Sequence, residues 1–475
     1  LDFLESESVV IFRLIRVGLL EALTQRLRPD FGVNMHNNKI KSSLANAFLV
    51  RGVDLWNTTG VRRQVDIYVE HGVVKDISDH ALNAVRPGVR VLEGNGLVVL
   101  PAGVDAQVHL RVPGQSHKET PVSGLWAAVA GGVGALLTMP NTNPVLDEVS
   151  VLDLARREVE GPSAETGVTV LFSAAMTKGQ KGRECVDFES LAKAGVSAFT
   201  DDGVGVADSA VMESIMSRVA PTGLPILQHA EVPGHGGVLA EGPIQTLVGG
   251  IAYPDNAEIE MVQRDIKLLQ RYPEVRYHVL HVSAAKTIDV VSEARRMGLN
   301  VSCEVSPHHL FFTSDDIDQG NSAFKMNPPI RSRSDRDHLR EALRSGACDF
   351  MATDHAPHEA AVKTTNFKTS AFGTTGLETS LRVMIWLWRH GLLSVERLVE
   401  AWSSAPARFL NVDNTYGSIA VGRPFQAVLV DVNAPEQIVS PDDFVGLARN
   451  SCFTNTRLPG RIVATILGAR IHNLL

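Results

Sequence analysis

The sequence predicts an α/β protein: a (β/α)8 TIM barrel with a small flanking β-sandwich domain built from both ends of the chain. Three observations carry this. Between about residues 101 and 410, short apolar runs alternate with helical patterns, whereas the flanks, 46–100 and 411–475, carry β-branched runs closed by Gly, Asn or Asp. Polar residues able to bind metal recur where the central apolar runs end, which is where such barrels place their chemistry. A chain of 475 residues accommodates a barrel and a second, smaller unit.

Residues 1–45 read as an N-terminal extension outside the fold. Within it, VVIFRLIRVGLLEALTQRLR (9–28) has helical apolar spacing and four arginines, which suits an amphipathic helix and argues against a membrane span. Such a helix would otherwise serve a membrane surface or a partner. The acidic LDFLESES ahead of it lacks the basic start of a secretory signal. Next come AFLVRGVDLW, QVDIYVEHGVVKDIS and VRVLEGNGLVVLPAG, antiparallel strand signals. Eight barrel strands follow: VDAQV, VGALLTM, VTVLFSA, VSAFT, LPILQ, RYHVL, NVSCEV and CDFMAT, with helical stretches such as VLDLARREVE between them. GSIAVGRPFQAVLVDV and GRIVATILGARI then return to strand rhythm and should pack with residues 46–100.

Composition narrows the function. The net charge of −8, from 45 basic and 53 acidic residues without a long basic run, excludes nucleic acid as a natural partner. Hydrophobic residues at 44% and charged residues at 21% are ordinary for a soluble globular chain. The four cysteines lie far apart without a C-x-x-C pair, so neither a disulfide framework nor a zinc ribbon is indicated and a reducing cytoplasm fits.

At the strand ends stand His109, Asn141, Asp201, Asp202, His229, His281 and Asp354, with SPHHL after the seventh strand. Each alone is more often a cap or a satisfied polar group than a ligand. A barrel brings all strand ends to one rim, and a His/Asp cluster there suits zinc or a similar divalent ion. Such an ion yields hydroxide at neutral pH, and a carboxylate, here Asp354, shuttles the proton to the leaving group. Arg111, two residues beyond His109, is suited to holding a substrate carboxylate, or else pairs structurally with an Asp at the rim. Histidines away from the strand ends, such as His338, His390 and His472, read as surface residues or helix caps.

The motifs HLRVPGQSHKET (109–120), MPNT (139–142), FTDDG (199–203), HVLHVS (278–283), SPHHL (306–310), KMNPP (325–329) and ATDHAPH (352–358) occur in order. Together they resemble the bacterial class I dihydroorotases of the amidohydrolase superfamily, from about residue 46 to the end. The resemblance implies that Asp202 bridges two zinc ions, one completed by His229 and His281, the other by His109 and Asp354. It implies that Arg111, Asn141 and His358, beside His109, grip the substrate, and that Asn327 and the backbone of Phe372 and Gly373 line its pyrimidine ring. The implied reaction is reversible hydrolysis of dihydroorotate to N-carbamoyl-aspartate in pyrimidine biosynthesis, with a homodimer or an assembly with aspartate transcarbamoylase as implied partners. Hydantoinases and allantoinases bridge their metals through a carboxylated lysine on the fourth strand, and GVSAFTDDG contains none.

One position departs from the pattern. Where the resemblance implies His-x-His, the chain has Gln107-Val108-His109. Residues two apart on a strand face one side, so Gln107 should still point at the metals. Its neutral amide oxygen is a poorer zinc donor, and the ion shared by His109, Asp202 and Asp354 should bind weakly while the other binds tightly. The readings are a working enzyme with one labile ion, a catalytically impaired scaffold subunit partnering aspartate transcarbamoylase, or a local oddity; another cyclic amidohydrolase is the remaining alternative. The first is adopted because Arg111, Asn141, Asp354 and His358 are all present. Residues 359–371 are either a mobile lid or an ordered surface loop.

Overall fold

Eight parallel strands are hydrogen-bonded in sequence order in the computed structural model, which describes residues 39–79, 89–318 and 321–474. They are β1 (Gly103–Val108), β2 (Val133–Thr138), β3 (Thr169–Ala174), β4 (Ala198–Phe199), β5 (Ile226–Gln228), β6 (Tyr277–Val279), β7 (Val301–Val305) and β8 (Phe350–Met351). Seven fall within their apolar runs, and β1 begins one residue ahead of VDAQV, at Gly103. The ring closes where Val108 bridges His355 and the His109 amide donates to the His355 carbonyl at 2.9 Å. Asp105 locks this seam by accepting from the Thr353 amide (3.0 Å) and hydroxyl (2.6 Å).

Strand alternation divides the apolar side chains between two cores. Val104, Ala106, Ala135, Leu137, Leu227, Leu280 and Phe350 fill the barrel, while Val133, Leu136, Phe172, Ile226, Val279 and Val301 meet the surrounding helices. The strand starts are plugged by Ala407, Leu410 and Tyr416, whose hydroxyl donates to the Gly134 carbonyl at 2.9 Å. Gly103 is required there, since a Cβ would lie 2.3 Å from the Trp402 ring. The plug leaves the opposite rim, where the strands end, as the open face for chemistry.

The flanking strands form one nine-stranded sheet. It draws on Ala47–Asn57, Gly60–Glu70, Val73–Ser78 and Val98–Pro101 from one side of the barrel and on Gln426–Asp431, Arg461–Leu467 and Arg470–Leu474 from the other. A bridge between Val73 and Pro424 curls it around Phe48, Ile67, Val69, Phe425, Leu429 and Ile466. Alternate residues such as Val428 and Val430 turn to the barrel's outer core instead.

Three expectations need correction. The sheet begins before residue 46, because Ile40–Leu44 pairs antiparallel with Arg470–Leu474; its Lys-Ser-Ser interior hides the pattern of an edge strand. The rest of the 1–45 extension, with the helix read over 9–28, lies outside the described residues. Residues 411–475 are not all β domain: Val439, Phe444, Cys452 and Phe453 pack with Phe312, Phe324 and Phe367 over the barrel, because an apolar cluster there needs covering. His472 is buried rather than on the surface, bonded to Ser42 (2.7 Å) and to the Thr166 carbonyl (2.7 Å). No helix among the described residues is long and apolar enough to cross a membrane.

Candidate functional site

The strand ends deliver the expected side chains to one place. His109 follows β1 directly and His229 follows β5; His281 lies two residues past β6, and Asp202 and Asp354 three residues past β4 and β8. All five are buried. His229 Nδ1 lies 3.0 Å from His281 Nε2, and each lies 3.5 Å from Asp202 Oδ1. Tetrahedral zinc with bonds of about 2.0–2.1 Å sets its ligand atoms about 3.3–3.4 Å apart, so this triangle fits the ion without rearrangement.

Asp202 turns its other oxygen to a second group. His109 Nε2 is 3.3 Å from Asp202 Oδ2 and 3.1 Å from Asp354 Oδ1. One carboxylate thus faces both triads, the arrangement a bridging ligand needs. Buried carboxyls ordinarily titrate high, yet hydrogen bonds from His229 and His281 outweigh that burial and hold Asp202 well below the carboxylate range. For His229, Asp202 and Glu231 outweigh burial and push the imidazole up to about 10. A metal ion would take the place of that proton.

Around these ligands lies a supporting layer, in which the sequence reading found Asn141 and Asp201 but not Glu231. Glu231 Oε2 is 3.1 Å from His229 Nε2, which turns Nδ1 to the cluster, as carboxylates commonly do for metal-binding imidazoles. It sits two residues beyond His229, past the end of β5, where the Glu231 amide turns back to the His229 carbonyl (3.1 Å), so strand alternation does not announce it. Asn141 Oδ1 lies 2.9 Å from His109 Nδ1, leaving Nε2 for the metal side; its amide nitrogen reaches the Asp202 carbonyl at 3.4 Å. Asp201 turns away and accepts from the amides of Met176 (2.7 Å) and Thr177 (3.1 Å). His355 also turns away, accepting at Nδ1 from the Gly376 amide (3.2 Å). His308, in the SPHHL turn, is buried with neither ring nitrogen hydrogen-bonded among the described residues.

Gln107 points where alternation puts it. Fully buried, it donates from Nε2 to Asp202 Oδ1 at 3.2 Å, and its Oε1 has no hydrogen-bond partner among the described residues. A register shift between Asp105 and Val108 accompanies this turn of β1.

Arg111 is buried and fixed from two sides: Nε donates to the Pro357 carbonyl (3.2 Å) and an Nη faces His358 Nε2 (3.3 Å). Burial lowers its pKa to about 10, still charged at neutral pH, and burial beside Arg111 pushes His358 down to about 3, so His358 accepts rather than donates there. Asn327 donates to Glu231 (2.7 Å) and keeps Oδ1 free of hydrogen bonds among the described residues. Phe372 is half-exposed beneath the Lys325 ammonium, and Gly373 has φ +128° with its Cβ direction 2.8 Å from the Ala356 side chain. Arg111, His281 and Asp354 hold φ of +62°, +33° and +48°. Left-handed backbone is strained for such residues and gathers at functional sites.

The segment 359–371 is tied down: Phe367 is buried in the apolar cluster with Leu239 and Phe312, and Lys325 Nζ donates to the Lys368 (2.9 Å) and Ser370 (2.7 Å) carbonyls. Beside it a cavity of about 450 Å³ is lined by Lys118, His358, Lys363 and Arg449. Glu359 lines it too, and burial pushes the Lys363 ammonium down to about 7.

Comparison with known proteins places this geometry. Residues 98–463 match the amidohydrolase family. Curated dihydroorotases from Desulforapulum autotrophicum and Staphylococcus epidermidis are 34% and 37% identical, over 89% and 87% of this chain and 97% and 96% of theirs. An L-hydantoinase (dihydropyrimidinase) structure from Arthrobacter aurescens superposes with a TM-score of 0.77 at 25% identity, covering 89% of this chain and 95% of that one. A dihydropyrimidinase from Brevibacillus agri, at 20% identity and TM-score 0.75 over 89% of this chain and 94% of its own, shares the fold. With a metal-ready rim on a closed barrel and dihydroorotases among its relatives at this identity, the chain belongs to the amidohydrolase family, in its dihydroorotase group.

Proposed function

We propose that this chain is a working dihydroorotase that opens the cyclic amide of dihydroorotate to N-carbamoyl-aspartate, and closes it in reverse. The observation that carries the reading is the sharing of Asp202, whose Oδ1 faces His229 and His281 and whose Oδ2 faces His109, itself beside Asp354. Zinc bound there supplies a water acidic enough to be a nucleophile at neutral pH. Asp202, His229 and His281 would hold one ion tightly; His109, Asp202 and Asp354, with Gln107 in place of a fourth strong donor, would hold a second weakly.

The rest is done by the chain itself. Arg111, fixed by Pro357 and His358, grips the substrate carboxylate through its guanidinium, with His358 accepting beside it. Asn141 positions His109 through Oδ1, and of its two amide hydrogens one reaches the Asp202 carbonyl and the second is left to donate to substrate. Asn327 Oδ1 accepts from a ring N–H, and the Phe372–Gly373 backbone borders the ring. As the C–O bond forms and the ring C–N bond breaks, Asp354 takes the proton from the attacking water and delivers it to the departing nitrogen. The intact set around Arg111 and Asp354 favours this over an impaired scaffold. Four free cysteines, three of them buried, suit reaction in the cytoplasm. Gel filtration with and without aspartate transcarbamoylase reads the proposed self-association or assembly.

The test is Asp354→Asn, assayed for ring opening of dihydroorotate and for zinc content. Removing a general acid–base group costs about 10²–10⁴-fold in rate, while the Asp202–His229–His281 ion stays bound. An unaltered rate refutes the role of Asp354, and absence of turnover by the unmodified chain at full metal loading refutes the reading.

A further inference from the structure

The mechanism above leaves unexplained why the C-terminal segment leaves its own sheet to lie on the barrel rim. Its backbone is moored by two carboxylates: the half-buried Glu378 accepts from the amides of Val445 (2.8 Å) and Gly446 (3.0 Å), and the buried Glu119 from Leu447 (2.9 Å). The Cys452 amide donates to the Thr374 hydroxyl at 2.9 Å. Between these moorings stands Asn450, 7% exposed. Its Oδ1 accepts from the His358 amide at 3.0 Å, and its Nδ2 donates to the carbonyls of Ala356 (3.0 Å) and Gly373 (3.1 Å).

One primary amide therefore ties together the two loops that carry His358 and Gly373, the first following β8 and the second fifteen positions on. The Gly373 peptide has little freedom left: its carbonyl also accepts from Lys363 Nζ (3.0 Å), and its amide donates to the Lys325 carbonyl (2.9 Å). Three hydrogen bonds on one buried side chain use both donors and the acceptor of the amide, a satisfaction no other residue of that size provides.

We infer that Asn450 is a positioning residue for substrate recognition, clasping the backbones of His358 and Gly373 in the spacing that a six-membered cyclic amide bearing a carboxylate requires. It acts on ring and carboxylate binding and leaves the metal triads untouched. This inference rests on the dihydroorotase reading for its substrate, and on geometry alone for the clasp.

The test uses the zinc-loaded full chain with Asn450→Ala, Asn450→Asp and Asn450→Gln. Asn450→Ala is expected to raise KM for dihydroorotate about tenfold or more, the scale of one to three buried hydrogen bonds, with kcat within about threefold and zinc content unchanged. Asn450→Asp keeps the acceptor for His358 and loses both donors, so it should not restore KM; Asn450→Gln retains all three functions and should restore it in part. Hydrogen exchange, read without substrate, should speed up in Asn450→Ala over residues 356–358 and 371–374 and stay unchanged around His229 and His281. An unchanged KM, a kcat loss as large as the KM rise, or unchanged exchange in those two segments overturns the inference. If the clasp is seen by exchange while the unmodified chain opens no cyclic amide, the substrate reading fails and the assignment of Asn450 to substrate recognition falls with it.

Discussion

Gln107→His should convert the weak second zinc site into a firm one, and its size can be worked from the contacts of Gln107. The glutamine is fully buried with Nε2 donating to Asp202 at 3.2 Å and Oε1 unpartnered among the described residues. To offer Oε1 to an ion beside His109 and Asp354, the amide must turn over and give up its bond to Asp202. A hydrogen bond to a charged group contributes about 1.5–3 kcal/mol, so the ion is disfavoured by about 10- to 150-fold relative to a site whose fourth donor is already aimed. An imidazole in the same volume carries no such competing bond once its nitrogen faces the metal. After dialysis against a moderate chelator, elemental analysis should find about one zinc per chain in the unmodified protein and about two in Gln107→His, with zinc-buffered titrations showing the affinity gap directly. Two ions retained by the unmodified chain, or no gain in the variant, would refute the argument that the amide is the weak donor.

Glu231→Ala should loosen His229 and weaken the tight ion by about 10- to 100-fold, measured by competition with a chromogenic chelator; equal affinity would show that Asp202 and His281 alone orient the imidazole. His278, buried between Ser302 (2.7 Å) and Glu304 (3.2 Å), is pushed by burial from its ordinary 6.5 down to about 3. Below pH 6.5 the unfolded chain takes up a proton that the folded chain refuses, so stability falls as pH drops from 6.5 toward 3, by up to about 1.4 kcal/mol per pH unit from this residue. His278→Asn should make that slope shallower in chemical denaturation at pH 4–6.5, and parallel slopes would remove His278 from the account.

Most of the barrel was legible because its strands are short apolar runs with a fixed place in an alternating series, and the rule that chemistry follows each strand then selects His109, Asp202, His229, His281 and Asp354. Gln107 was legible in direction too, since alternation from His109 is a local property. Edges were not: Ile40–Leu44 exposes Lys41 and Ser42 on a strand whose only partner among the described residues, Arg470–Leu474, lies at the far end of the chain. His472 failed for the same reason, its partners being Ser42 and Thr166.

What distinguishes the found from the missed is the range over which a residue's partner is specified. The metal ligands answer to a geometry that every strand shares, so each can be located without knowing the others. Asn450 answers to three backbone groups in loops 77 to 94 positions away, and an asparagine in ARNSCF carries no periodicity that announces them. Ligation is written strand by strand in this fold, whereas the spacing of the substrate loops is set by a segment 77 to 94 positions further along the chain. Substitutions at the first kind of position should therefore change metal content, and those at the second should change which ring the protein accepts.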